Sequence, residues 1–173
     1  QNKKIKNKKR IAFVTPMNLD TSAVAKYSKS TLEKLCKKAD VDVYSLEKNL
    51  KNMFGAKNVF YVNSFPYLSN VYDSVITVLG DSIFHDKMTL YNRMYGGNVI
   101  LHDSNLLNSS SCFFGEEYLL NIAKFYNNQE LDRNSLRKSC SDFSNIVTTG
   151  LEPVFECSKK VFVHSKIAYE KYK

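Results

Sequence analysis

Hydrophobic and polar positions follow two regimes along the chain. Short, mostly apolar runs mark strands at 11–14 (IAFV), 41–44 (VDVY), 58–62 (NVFYV), 75–79 (VITVL), 98–101 (NVIL) and 161–163 (VFV). The first is stopped by Pro16 and the fourth by Gly80. Between these runs the spacing turns helical. From Thr21, the residues Val24, Tyr27, Thr31 and Leu35 recur at steps of three and four, and Lys37 and Lys38 close the segment where cations suit a helix dipole. Phe84, Met88, Tyr91 and Tyr95 form a second stripe, stopped by Gly96 and Gly97. Leu119, Ile122, Ala123 and Tyr126 mark a third helix. The polar stretch 128–145 predicts a short helix around Leu136, and a last helix begins near Ser165. Strands alternating with helices predict an α/β domain: a three-layer, Rossmann-like fold on a mainly parallel sheet, because each crossover needs a helix to cover a sheet face.

Composition narrows this picture. The 173 residues suit one such domain, and 43% hydrophobic residues exclude a disordered or collagen-like chain. No run approaches about eighteen apolar residues, and no charged-then-apolar leader opens the sequence, so a cytoplasmic protein is expected. The sequence begins at Gln1 and stops at Lys173 inside a helical pattern, which reads as a piece of a longer protein. Six of the positive charges behind the net +8 are Lys3, Lys4, Lys6, Lys8, Lys9 and Arg10, which leaves only +2 on the rest. Residues 1–9 therefore read as a flexible basic tail or linker ahead of a domain over 10–173. A solvated tail is the plain reading; contact with anionic lipid or a phosphorylated substrate is the sharper one. Nucleic acid is not expected, because aromatic and basic residues are not interleaved. Cys36, Cys112, Cys140 and Cys157 form no C-x-x-C pair and no histidine stands at ligand spacing, so no metal site is expected. They read as reduced, mostly buried thiols.

Candidate chemistry follows from where a parallel sheet binds ligands, outside the carboxyl ends of its strands. There are three histidines. His102 directly follows NVIL, His164 directly follows VFV, and His85 lies shortly beyond VITVLGD. All three fall at one edge of the inferred sheet, which points to a shared site. Gly80, Asp81 and Ser82 end a strand and open a helix, so backbone N–H groups there would face a bound anion. Asp81, Ser82, Asp103 and Ser165 could each equally serve as helix caps. No G-x-G-x-x-G and no G-x-x-x-x-G-K-[ST] occurs, and loop 18–23, where a phosphate cradle would sit, holds no glycine.

Four stretches resemble one family in its order. KRIAFVTPMNLDTSAVAKYS (9–28) is similar to the first strand, loop and helix of the N-terminal domain in GT-B glycosyltransferases of the large retaining family 4. There, Ser22-Ala23-Val24-Ala25-Lys26-Tyr27-Ser28 matches a Ser-Gly-Ile-Ala-x-Tyr-Ser helix start. Gly80, Asp81, Ser82 and His85 resemble its Gly-Asn-Ser-x-x-His segment. Residues 95–103 (YGGNVILHD) resemble Pro-Gly-x-Val-x-x-x-His-Asp, and Val161 to Ser165 resemble the strand and His-Ser step before the interdomain linker. The resemblance implies transfer of a sugar from a nucleotide diphosphate sugar to a glycan or lipid-linked acceptor, with retention and no required metal or other cofactor. It implies work at the inner face of a membrane, in cell-surface polysaccharide synthesis. His102 would orient the donor sugar, with Asp103 holding it or contacting acceptor hydroxyls. Asp81, Ser82 and His85 would line the acceptor side, with His164 and Ser165 beside them. Asn18 and Ser22 belong to the loop that would approach the diphosphate. The sequence departs from the pattern at Ala23, where the family has glycine, and it holds no donor-binding C-terminal domain. On this reading the chain is one half of a GT-B enzyme and inactive alone.

Two other classes stay open. A strand running into Gly-Asp-Ser resembles the nucleophile segment of SGNH-type esterases, with Ser82 attacking. Against it, about seventy residues of α/β pattern precede the segment, and no Asp-x-x-His pair closes the chain. A non-catalytic α/β module that binds a sugar or a protein is the other.

Overall fold

The computed structural model describes residues 8–18, 22–47, 54–141 and 148–172, without the side chains of 139–141 and 171. Its six strands are β1 (Arg10–Val14), β2 (Asp40–Ser45), β3 (Asn58–Tyr61), β4 (Ser74–Leu79), β5 (Gly97–Leu101) and β6 (Ser158–Val163). They form one all-parallel sheet in the order β3-β2-β1-β4-β5-β6, flanked by helices, as the apolar runs predict. The chain divides into two compact units, Gln1–Ile76 and Thr77–Lys173.

In the first unit β1 is buried at four consecutive positions, and its register with β2 runs from Arg10 opposite Asp40 to Val14 opposite Tyr44. Phe13, Val14, Val43 and Tyr44 are fully enclosed, each side chain contributing roughly 1.5–3 kcal/mol by leaving water. Helix α1 (Ala23–Leu35) covers this sheet with Ala25, Ser28 and Leu32, one position beyond the predicted stripe; Tyr27 is exposed. The shift follows from Ser28, which is buried because its hydroxyl pairs with Thr15 at 2.8 Å. A polar residue that finds its partner indoors is silent in a hydrophobic pattern. The β3–β4 crossover is not a full helix: α2 (Phe65–Leu68) spans four residues between two 3-10 turns.

The second unit holds α3 (Asp86–Tyr95), α4 (Leu107–Phe114), α5 (Glu116–Asn127), α6 (Arg133–Ser141), α7 (Glu152–Cys157) and α8 (Lys166–Tyr172). The helix around Leu136 is present, and Leu136 packs with Leu107, Leu119 and Ile122. Helices α4 and α7 were not predicted. The stripe of α3 also differs. Residues 83–85 form a 3-10 turn, which rotates Phe84 outward and gives its place to His85, buried ahead of Met88 and Asn92.

Cys112 is exposed, and Cys36 and Cys157 are half-buried, so the expectation of mostly buried thiols fails for these three. Lys8 and Lys9 are exposed. The rest of the basic tail (1–7) and residues 19–21 of the first loop lie outside the described residues. Among the described residues no helix is long and apolar enough to cross a membrane.

Candidate functional site

The strand ends of the second unit carry most of the candidate residues. β4 ends at Leu79 and turns at Gly80, and the backbone of His102, just past β5, donates to the Leu79 carbonyl at 2.9 Å. That pairing brings loop 102–104 against loop 80–82. The Asp103 carboxylate then accepts the Asp81 backbone N–H at 2.7 Å. This corrects two expectations. Asp103 does not cap a following helix, and one of the N–H groups expected to face a bound anion, that of Asp81, is already given to a carboxylate of the chain itself.

Asp81 does not cap its own helix either. Its carboxylate reaches α4, accepting from the Ser109 backbone at 2.9 Å and the Asn108 amide at 3.0 Å. Burial pushes the Asp81 carboxyl upward, against these hydrogen bonds, which favour its charged form. Ser82 leaves the capping work undone; its hydroxyl lies 2.9 Å from Nδ1 of His85. Ser165 does cap, accepting from the Ala168 backbone at 3.0 Å at the start of α8.

His85 is only 3% exposed. Its Nε2 is enclosed and has no hydrogen-bond partner among the described residues. Gly80 makes room for it: a Cβ there would stand 2.9 Å from Cε1 of His85 and 3.0 Å from Oδ2 of Asp103. Burial lowers the His85 imidazole to about 4, against the pull of Asp103. The ring is therefore neutral at pH 7.

His102 and His164 project from adjacent strand ends with ring centroids 4.2 Å apart. Burial, reinforced by His164, lowers His102 to about 4, again against Asp103. His164 is lowered by burial as well, though it is more exposed. Both rings line a cleft of about 490 Å3. Its polar lining is His102, Asp103, Ser104, His164 and Ser165. Its apolar lining is Leu101 and Val163 at the strand ends, with Ile167, Ala168 and Tyr172 of α8. The Tyr172 hydroxyl donates to the Ser104 carbonyl and ties α8 to the loop after β5.

The structure thus gathers Asp81, Ser82, His85, His102, Asp103, His164 and Ser165 within the second unit. His85 is buried against Gly80 and is not part of the cleft lining. Asn18 and Ser22 belong to the first unit. There Ser22 caps α1, accepting from the Ala25 backbone at 3.2 Å, and its own N–H donates to the Asn18 carbonyl at 3.0 Å. Sequence reasoning missed Ser104, Tyr172 and the anchoring pair Asn108–Ser109. None carries a local signal, since each acts through a contact with a distant segment. Among the described residues no group of three or more His, Cys, Asp or Glu side chains is arranged to hold a metal ion.

A scan of protein-family models finds none that matches this chain, and a search of curated proteins finds no match either.

Proposed function

We propose that the chain is the acceptor-side, Rossmann-like half of a retaining glycosyltransferase of the GT-B kind. It would work with a donor-binding half on a nucleotide diphosphate sugar and a glycan or lipid-linked acceptor. The observation that carries this reading is the gathering of two neutral imidazoles, a carboxylate and two serines in the lining of a cleft at the carboxyl ends of parallel strands. That is where an open parallel sheet binds ligands. The donor set suits hydroxyl groups, since a neutral imidazole donates one hydrogen bond and accepts another.

In this reading His102 touches the transferred sugar and supplies a preorganised dipole where charge develops at the anomeric carbon. Asp103, already fixed by the Asp81 backbone, orients His102 or an acceptor hydroxyl. His85 and Gly80 position both loops from below. A cell-surface glycan as product, and contact of the basic tail with an anionic membrane face, belong to the same proposal.

The hydrogen bond between Ser82 and His85 favours a second reading, an esterase with Ser82 as nucleophile. His85 serves that role poorly, because a ring lowered to about 4 is a weak base. Hydrolysis of an activated ester that disappears in Ser82→Ala would support the esterase and displace the first reading.

For the transferase, the test is sugar transfer by the protein that carries both halves. His102→Ala is expected to lower transfer at least tenfold with the fold intact, as judged by an unchanged unfolding midpoint. Transfer at the wild-type rate would remove His102 from the site.

A further inference from the structure

We propose that the cleft at the ends of β5 and β6 selects an uncharged pyranose and discriminates against sugars bearing a carboxylate, sulfate or phosphate. The inference rests on the reading that this cleft holds a sugar, and it specifies which class.

Three observations carry it. The described residues that line the cleft include no lysine or arginine, and the one fixed charge among them is the Asp103 carboxylate. Lys166 follows Ser165 but is exposed and is not part of the lining. An anionic substituent would therefore meet a like charge and find no cation to offset its lost hydration. Secondly, the Asp81 backbone N–H, one of the anion donors that such a strand end offers, is taken by Asp103 at 2.7 Å. The chain has placed its own anion there. Thirdly, the lining divides into two kinds of group: hydroxyls, imidazoles and a carboxylate on the one hand, and Leu101, Val163, Ile167, Ala168 and Tyr172 on the other. A neutral pyranose has the same division, with hydroxyls around its edge and an apolar C–H face. A cleft of about 490 Å3 is of the size that takes small molecules.

The imidazoles complete the argument as hydrogen-bonding groups rather than cations. Burial keeps His102 and His164 below their ordinary range, so at pH 7.5 neither presents a positive charge to an anion. The ring separation of 4.2 Å works the same way, since two imidazolium ions that close would repel.

The experiment is a titration of the chain, labelled with 15N-histidine, at pH 7.5. The probes are methyl α-glucopyranoside and methyl β-galactopyranoside against methyl glucuronoside and glucose 6-phosphate. At least one neutral glycoside is expected to shift the His102 and His164 signals saturably. The charged sugars are expected to need at least tenfold higher concentration for the same shift. Asp103→Asn keeps an oxygen for the Asp81 N–H and should cut that discrimination at least threefold. Charged sugars that bind as tightly as neutral ones would overturn the proposal. So would the absence of any saturable shift at both histidines. Either failure alongside intact sugar transfer leaves the glycosyltransferase reading standing, whereas neutral-sugar selectivity without transfer by the two-half protein would overturn that reading alone.

Discussion

Gly80 shows at the scale of one residue why the strand ends have the shape they have. Its missing side chain lets His85 and Asp103 approach the turn, with a Cβ position 2.9 Å from one and 3.0 Å from the other. Neither neighbour can yield freely, since His85 is 3% exposed and Asp103 is bonded to the Asp81 backbone. Gly80→Ala should therefore cost about 1–3 kcal/mol, as overpacking does. Denaturant unfolding measures this; a change within about 0.5 kcal/mol would show that the turn has slack. The same histidine carries a pH effect. His85 and His102 are lowered to about 4 from an ordinary 6.5, so the unfolded chain binds more protons between those values. Their neutral burial is compatible with full stability above about 6.5, and stability declines as pH falls toward 4. Melting temperature followed from pH 7.5 to 4.5 should fall, and should fall less steeply in His85→Gln. An equal slope in the two proteins would count against His85 as a buried neutral group. The histidines were legible in the sequence because each follows an apolar run that could be read as a strand. Gly80 was legible only as a stop signal; that it makes room for a ring six residues of loop and turn away from the strand could not be read locally.

Among the elements, α4 is the clearest case of tertiary structure overriding local preference. LNSSSCFF is poor in strong helix formers, and the predicted elements left it out. It is helical because Asp81 reaches across from the β4 turn to its Ser109 N–H and Asn108 amide, and because the Ser109 hydroxyl donates back to the Leu106 carbonyl. Asp81→Ala removes an N-terminal cap supplied from another segment and should destabilise by about 1–2 kcal/mol. Native-state hydrogen exchange should show the loss concentrated in α4; protection there equal to wild type would contradict the assignment. Helix α7 was missed for a different reason. Pro153 in its first turn is a readable start signal, but the helix is too short to show a period. Its first residue, Glu152, is held by Thr148, Thr149 and Asn127, the last from the end of α5. The α1 stripe was displaced by one position because Ser28 is buried against Thr15, which a hydrophobic pattern does not register.

For the molecule as a whole, the parallel sheet was legible because β1, β2, β5 and the end of β4 are largely buried and the strands read as short, mostly apolar runs. The order β3-β2-β1-β4-β5-β6 places β4, β5 and β6 side by side, and this adjacency brings the ends of β5 and β6 into one cleft and sets loop 102–104 against the β4 turn, where His85 is buried. The contribution of α8 to the lining was not legible, since it depends on contacts with distant segments such as the Tyr172 hydroxyl on the Ser104 carbonyl and the Tyr172 ring against Phe155. Tyr172→Phe should loosen α8, raising hydrogen exchange there and, under the proposed function, weakening sugar binding several-fold; unchanged exchange would show that the tie is dispensable. The central claim is sugar transfer at this edge of the sheet. The most direct measurement incubates the protein that carries both halves with a panel of nucleotide diphosphate sugars and glycan acceptors, and reads the anomeric configuration of any product by NMR. Release of nucleoside diphosphate with a glycoside of the donor's configuration is the expected result. Absence of transfer across the panel, or a product of inverted configuration, would contradict it.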